Sequence, residues 1–593
     1  MSDAKTQTKP SKPKRTPKPS VEAIKIASRF LSQGVQEQLD APTDNVDETG
    51  YQLLKFSGIY QQDDRDSRKE RRKEGRDRAY SFMVRSKAPA GILTAEQYLV
   101  HDRLSDSHGN GTMRFTTRQG IQLHGVVKGD LKPLIQELNQ ALVTTLAACG
   151  DVNRNVMGCP APEKDREHAL IDQVCRELEA HLLPRSTAYY DLWIDGEKQQ
   201  IPVAPAVSEA SLSDDEEEPI YGKTYLPRKF KIGVAFPHDN CVDVFTQDIG
   251  IVPVLEGDTL EGYNILVGGG LGMSHTDETT FPRLAEPLGF VTPDALIATA
   301  EAIVTVQRDF GNRENRKRAR MKYLVDEWGI EKFRTTVQER LSYKIQPWVD
   351  VGEFTIDDHL GWREQGDGRY YFGVPVENGR IKDEGEMRLR SGLRAIIERF
   401  RCEVRITAQH NLLLTDLEAE DEAPLRAMLS EYGIRTKEDI TKARRYAVAC
   451  PALPTCSLAL AESERVMPSV IDGLESELDT LGLGGEDIVI RMTGCPNGCA
   501  RPHTAELAFI GRSPGKYKLY VGGAFNGTRL AQEYADLVDQ EDILPTVTPL
   551  FKLWKEQRQP EEQFGDFCYR QGVEALHEAT TPRDVPQEVS SHD

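Results

Sequence analysis

Segments of alternating apolar and polar residues precede segments with a helical period along much of this chain. In "IDGLESELDTL", Leu474, Leu478 and Leu481 fall on one face, which predicts an amphipathic helix. The pattern also repeats. "RFTTRQGIQL" from Arg114 matches "RITAQHNLLL" from Arg405 at an offset of 291, and "RNVMGCPA" from Arg154 matches "RYAVACPA" from Arg445 at that same offset. The "VGG" of 267 to 269 meets the "VGG" of 521 to 523 at an offset of 254, as expected if the first copy carries an insertion. These matches predict an α+β fold of two halves related by a pseudo-twofold axis, with a site where the halves meet.

Other stretches break the periodic pattern. Residues 61 to 79 are dense in charge with almost no apolar face and read as a solvated helix or linker, and "SLSDDEEEP" at 211 to 219 reads as a surface loop. The first twenty residues carry six Lys/Arg and four Pro without an apolar run, which predicts a solvated tail and no secretory signal. The longest apolar runs, such as "ALVTTLAAC" from Ala141, are far shorter than the ~20 residues of a membrane helix. No membrane partner is expected. With 593 residues and 39% apolar content, the chain exceeds one hydrophobic core and should form several domains. A formal net charge of -20 argues against nucleic acid as a partner, so any anion must be met by locally gathered cations.

Ten cysteines without a secretory signal point to a reducing compartment, where clustered thiols mean metal or catalysis before disulfides. Four are paired: "CPALPTC" holds Cys450 and Cys456, and "TGCPNGCARP" holds Cys495 and Cys499, giving C-x5-C-x38-C-x3-C. This spacing fits a zinc ribbon poorly and suits an iron-sulfur cube, whose sulfurs need backbone N–H groups from turns such as those at Pro451, Pro454, Pro496 and Gly498. Cys149, Cys175, Cys241, Cys402 and Cys568 stand alone and read as buried thiols.

With these motifs the chain resembles the sirohaem-dependent sulfite and nitrite reductases, and most nearly the haemoprotein subunit of assimilatory sulfite reductase. The likeness runs from "GIYQQDDRD" at 58 to 66 to "FGDF" at 564 to 567. It implies two cofactors, sirohaem and a 4Fe-4S cluster, with Cys450, Cys456, Cys495 and Cys499 as cluster ligands and Cys499 bridging to the sirohaem iron. Each half would comprise a ferredoxin-like half-domain (51–145 and 341–435) and a sirohaem- and cluster-binding α+β domain (146–340 and 436–593), after a partly disordered lead-in (1–50). The implied reaction is the six-electron reduction of sulfite to sulfide in the cytoplasm, with nitrite reduction to ammonia as the alternative. The electron donor would be a separate protein, either an NADPH-dependent flavoprotein or a ferredoxin.

Sirohaem carries eight carboxylates and sulfite is an oxyanion, so the site must gather arginine and lysine. The resemblance implies Arg85, Arg154, Lys229 and Lys231 around the substrate, and Arg114, Thr116 and Arg118 on the macrocycle. Lys229 and Lys231 alternate on "RKFK" and should share a strand face. Some relatives carry a tyrosine–cysteine crosslink near the haem, for which Tyr60 and Cys159 are the candidates. Cys159 also stands in repeat register with Cys450. The basic run "QRDFGNRENRKRARMKY" at 307 to 323 reads as an exposed helix, and "VGGGLG" from Val267 lacks the G-x-G-x-x-G order of a dinucleotide loop. A non-enzymatic iron-sulfur or zinc protein is the competing class; an absorption spectrum, with or without sirohaem bands, separates the two.

Overall fold

The computed structural model describes residues 19–185 and 217–580, apart from positions 30, 32 and 258. The basic tail and most of the acidic stretch at 211 to 219 lie outside the described residues. Among the described residues, four five-stranded sheets form two matched pairs. In the first pair, Ile59–Asp63, Tyr80–Arg85, Ile121–Val126 and Met113–Phe115 form one antiparallel sheet, and Gly361–Glu364, Tyr370–Val374, Leu412–Leu417 and Val404–Ile406 form its counterpart. Each sheet takes its fifth strand from the other half. Arg380–Ile381 pairs with Met113–Phe115, and Ile92–Leu93 pairs with Val404–Ile406. The exchange covers an edge of each sheet and locks the halves together.

In the second pair, Met157–Gly158, Ile232–Val234 and Ile249–Glu256 run parallel, and the sheet turns antiparallel through Thr259–Val267 and Glu286–Val291. Val448–Ala449, Ile490–Thr493, Leu507–Ser513, Lys516–Val521 and Gln532–Asp539 repeat that topology. The repeat read from the sequence is structural: Met113–Phe115, Ile121–Val126 and Met157–Gly158 lie 291 positions before Val404–Ile406, Leu412–Leu417 and Val448–Ala449.

Helices cover the sheets through apolar stripes. Leu131–Gln140 buries Leu131, Leu134, Ile135 and Leu138, an i, i+3, i+4, i+7 face, and each fully buried leucine stabilises by ~1.5–3 kcal/mol. The expected helix around Leu474 spans Met467–Thr480 and buries Leu474 and Leu478. One continuous core runs from Ile24 to Ile434, and a second lies under the last sheet.

The basic run at 307 to 323 differs from expectation. It is the end of one helix, a short 3-10 turn at Arg316–Arg318 and the start of a second helix, and several of its cations point inward. Arg316 grips Asp151 at 2.8 and 2.9 Å, Arg320 reaches Asp248 at 2.7 Å, and the buried Lys322 ammonium donates to the carbonyls of Gly270 and Gly272 at 3.0 and 2.8 Å. Those partners are far away in sequence, so local charge density alone could not reveal them.

Candidate active site

The four paired cysteines come from two loops that follow the parallel strands Val448–Ala449 and Ile490–Thr493. The loops interlock. Leu460 and Ala461 donate to the Gly494 carbonyl at 2.7 and 3.0 Å, and a Cβ on Gly494 would lie 2.5 Å from both Ala452 Cβ and the Ala461 oxygen. Glycine is therefore required there. The Gly494 N–H donates to Cys450 Sγ at 3.3 Å, and Asn497 Nδ2 donates to Cys495 Sγ at 3.5 Å, as thiolate or cluster sulfur needs. Burial, and then the nearby Cys499, push the Cys450 and Cys456 thiols up and move Cys495 to about 12, so the four groups sense one another. They do not converge within 4.8 Å as ligands of a single ion would. That spread suits a cluster. Cys450 and Cys495 are buried and Cys456 is partly covered, whereas Cys499 is exposed, which leaves room beside its sulfur for a larger group.

First-half residues hold these loops. Arg65 Nη1 donates to the carbonyls of Cys456 and Ala459 at 3.1 and 2.6 Å, and Thr117 Oγ1 donates to the Cys499 carbonyl at 3.0 Å. Arg114 is buried; it pairs with Glu464 and donates to the Ala449 carbonyl at 2.8 Å, immediately before Cys450. Thr116 Oγ1 accepts from the N–H groups of Arg118 and Gly120, both at 3.2 Å, and so shapes the turn that carries Arg118. Sequence reasoning missed Arg65, Thr117 and Glu464. Their partners lie hundreds of positions away, so only the interlocked fold shows them.

The cations gather beside this assembly. Arg85 ends the strand Tyr80–Arg85, and Arg154 is fixed by its N–H to the Phe230 carbonyl at 3.0 Å. Lys229 and Lys231 lead into the strand Ile232–Val234. Arg118 donates to the Asn155 and Ile232 carbonyls at 3.1 and 3.3 Å. None of Arg85, Arg118, Arg154, Lys229 and Lys231 has a carboxylate partner among the described residues, and Arg154 Nε is buried with no acceptor. Burial and then Arg154, Arg228 and Arg320 hold the Lys229 ammonium far below the usual lysine range, with Cys499 opposing. Burial, Arg118, Lys229, Arg320 and Arg154 do the same to Lys231. Burial also brings Arg118 down to about 9. Clustered, uncompensated cations are a site for an anion.

The candidate crosslink pair is corrected. Cys159 lies with Asp239, Cys241 and His359, whereas the cysteine beside Tyr60 is Cys149, which also accepts from Arg85 Nη1 at 3.1 Å. Burial and Cys149 raise the Tyr60 phenol to about 12.

Two family models match this architecture. The nitrite and sulphite reductase 4Fe-4S domain matches residues 149–345 and 447–586, and the nitrite/sulfite reductase ferredoxin-like half domain matches 73–141 and 363–432. The chain belongs to the nitrite and sulphite reductase family. Among its relatives, a "Sulfite reductase [ferredoxin]" of Synechococcus elongatus is 46% identical over 95% of this chain and 92% of its own length. A "Sulfite reductase [NADPH] hemoprotein beta-component" of Geobacillus thermodenitrificans is 45% identical over 94% of this chain and 96% of its own. The solved structure of the Mycobacterium tuberculosis NirA protein shares the fold, with a TM-score of 0.70, 22% identity and coverage of 93% and 94% of the two chains. No described helix is long and apolar enough to cross a membrane.

Proposed function

We propose that this family member reduces sulfite to sulfide, using a sirohaem joined through the Cys499 thiolate to a 4Fe-4S cluster held by Cys450, Cys456, Cys495 and Cys499. The observation that carries the reading is the adjacency of the unpaired cations to the cysteine loops: Lys229 senses both Arg154 and Cys499. When bound, the coupled cofactors supply iron for the substrate and a path for electrons.

The chain's own residues supply the rest. Arg85 and Arg154 present planar donors to sulfite oxygens, and the buried unpaired Nε of Arg154 gains an acceptor when an anion enters. Replacing three S–O bonds by three waters consumes protons as well as six electrons. Burial and the neighbouring cations depress the Lys229 and Lys231 ammonium groups, so both give up a proton from Nζ more readily than an ordinary lysine. Arg118 and the turn shaped by Thr116 face the macrocycle carboxylates in this reading. Arg114 acts from behind, by fixing the strand end that leads into Cys450. The electrons come from a separate donor protein, and the relatives' names include both ferredoxin and NADPH types.

Nitrite on the same cofactors is the second reading. It has one oxygen fewer to protonate, and nitrite reductases resembling this chain tend to carry asparagine in place of Lys231. Anaerobic turnover with a reduced viologen dye, comparing sulfite with nitrite, tests the assignment without any choice of donor. A higher kcat/KM for nitrite would overturn it.

A further inference from the structure

A second group of metal-ligand side chains lies apart from the four cluster cysteines. Cys159, Asp239, Cys241 and His359 place one donor atom each within 4.8 Å of one another. All four residues are at most 5% exposed. Cys159 Sγ is 2.6 Å from Asp239 Oδ2, His359 Nε2 is 2.9 Å from the same oxygen, and Cys159 Sγ is 3.8 Å from His359 Nε2. Asp239 Oδ1 is occupied separately, accepting from the N–H groups of Cys241 and Asp357 at 3.2 and 3.3 Å, which turns Oδ2 toward the group. His359 adopts a left-handed backbone, φ 53, strain a non-glycine residue bears only when its surroundings impose it.

The location is also informative. Val244–Thr246 lies 258 positions before Pro502–Thr504; both are 3-10 turns, and each is preceded by a left-handed residue, Asp243 at φ 53 and Arg501 at φ 57. Cys241 and Cys499 each stand two residues before that left-handed position. Cys241 is thus the pseudo-twofold mate of Cys499, as Cys159 is of Cys450. Asp243 and Arg501 meet across the axis at 3.1 Å. The first half therefore keeps two cysteines where the second half holds its cluster, and Asp239 and His359 complete a set of four.

We propose that Cys159, Cys241, Asp239 and His359 bind one zinc ion that ties the first-half loop to the second-half segment carrying His359. Two thiolates, an imidazole and a carboxylate are all zinc ligands, and four of them together make a closed tetrahedral set with no position left open for water. Zn–S bonds of about 2.3 Å and Zn–O bonds of about 2.0–2.2 Å require Cys159 Sγ and Asp239 Oδ2 to separate to about 3.5 Å. Binding releases the two thiol protons and the Nε2 proton of the His359 imidazolium, which Asp239 stabilises in the empty site, to solvent, leaving zinc with thiolates and a neutral imidazole and no change of oxidation state. The ion would hold Cys241 in place, whose carbonyl accepts from Gln409 Nε2 at 3.1 Å, and with it Asp243, which pairs with Arg491 at 3.0 Å.

The test is metal analysis of the holoenzyme purified without chelator from zinc-replete cells. About one zinc per chain is expected in addition to the iron, and zinc-edge X-ray absorption should show two sulfur ligands near 2.3 Å and two lighter ligands near 2.0–2.2 Å. Cys241→Ser and His359→Ala should cut zinc content at least tenfold with iron retained, and His359→Cys should restore it. Wild type with less than about 0.1 zinc per chain overturns the proposal, as does zinc that persists in both loss variants. Should the variants fail to fold, zinc content and absorption of the wild type decide. Iron content reports the 4Fe-4S and sirohaem reading separately.

Discussion

Replacing Lys231 with asparagine probes the anion site most directly. In the free protein this ammonium is held down by burial, Arg118, Lys229, Arg320 and Arg154, and among the described residues no carboxylate pairs with it. An entering anion relieves that repulsion, and the departing oxygens take up protons, so the lysine interacts more strongly with the transition state than with the empty site. Losing one such donor costs ~2–4 kcal/mol, or about 30- to 900-fold in kcat/KM for sulfite. Because Lys231 keeps some solvent exposure, the lower part of that range is expected. The nitrite rate should fall less, shifting the ratio toward nitrite. A depressed lysine also loses its proton below the usual value of about 10.4, so wild-type kcat/KM for sulfite should decline with rising pH well before that point. The variant should show a weaker decline. Steady-state rates for both anions, with one artificial donor across pH 6 to 10, provide the measurement. An unchanged sulfite-to-nitrite ratio, or a wild-type profile flat to about pH 10, would refute the reasoning.

Cys499→Ser should abolish viologen-driven sulfite turnover even where some iron is retained, and normal turnover would remove the bridging role. Arg154→Ala should weaken sulfite binding by ~1.5–3 kcal/mol, tenfold or more, with far-ultraviolet circular dichroism unchanged; an unaltered spectral titration would return Arg154 to a structural role. Glu464→Gln should destabilise the protein by ~3–5 kcal/mol, because Arg114 and Arg380 both lean on this carboxylate, and thermal inactivation reads the loss. Burial alone would raise the Glu464 pKa, but Arg114 and Arg380 hold it below its ordinary value. This ion-pair stability is therefore full above about pH 4.3 and disappears as pH falls through the folded value. Wild-type stability that is flat between pH 5 and 3 would contradict it.

Much of the plan was legible because duplication keeps register: one offset aligned two peptide pairs, and the same offset relates strands of both sheet types. The cysteine spacing was readable because it is local, whereas the placement of Lys229 and Lys231 came from the resemblance, and the structure sets both just before the strand Ile232–Val234 and not on a strand face. What stayed hidden needed contacts between the halves. The exchanged strands Arg380–Ile381 and Ile92–Leu93 are only two residues long, too short to show any period. Arg316 and Arg320 looked solvated because Asp151 and Asp248 are remote in sequence. Cys241 looked solitary for a subtler reason. The repeat offset falls from 291 to 258 between the strand Met157–Gly158 and the turn Val244–Thr246, so a fixed register that pairs Cys159 with Cys450 passes over the match of Cys241 to Cys499. The insertion that shifts the register lies between the two first-half cysteines. Duplication was thus visible wherever chain length was conserved, and it became a statement about chemistry only once the folded loops showed which thiols occupy equivalent places.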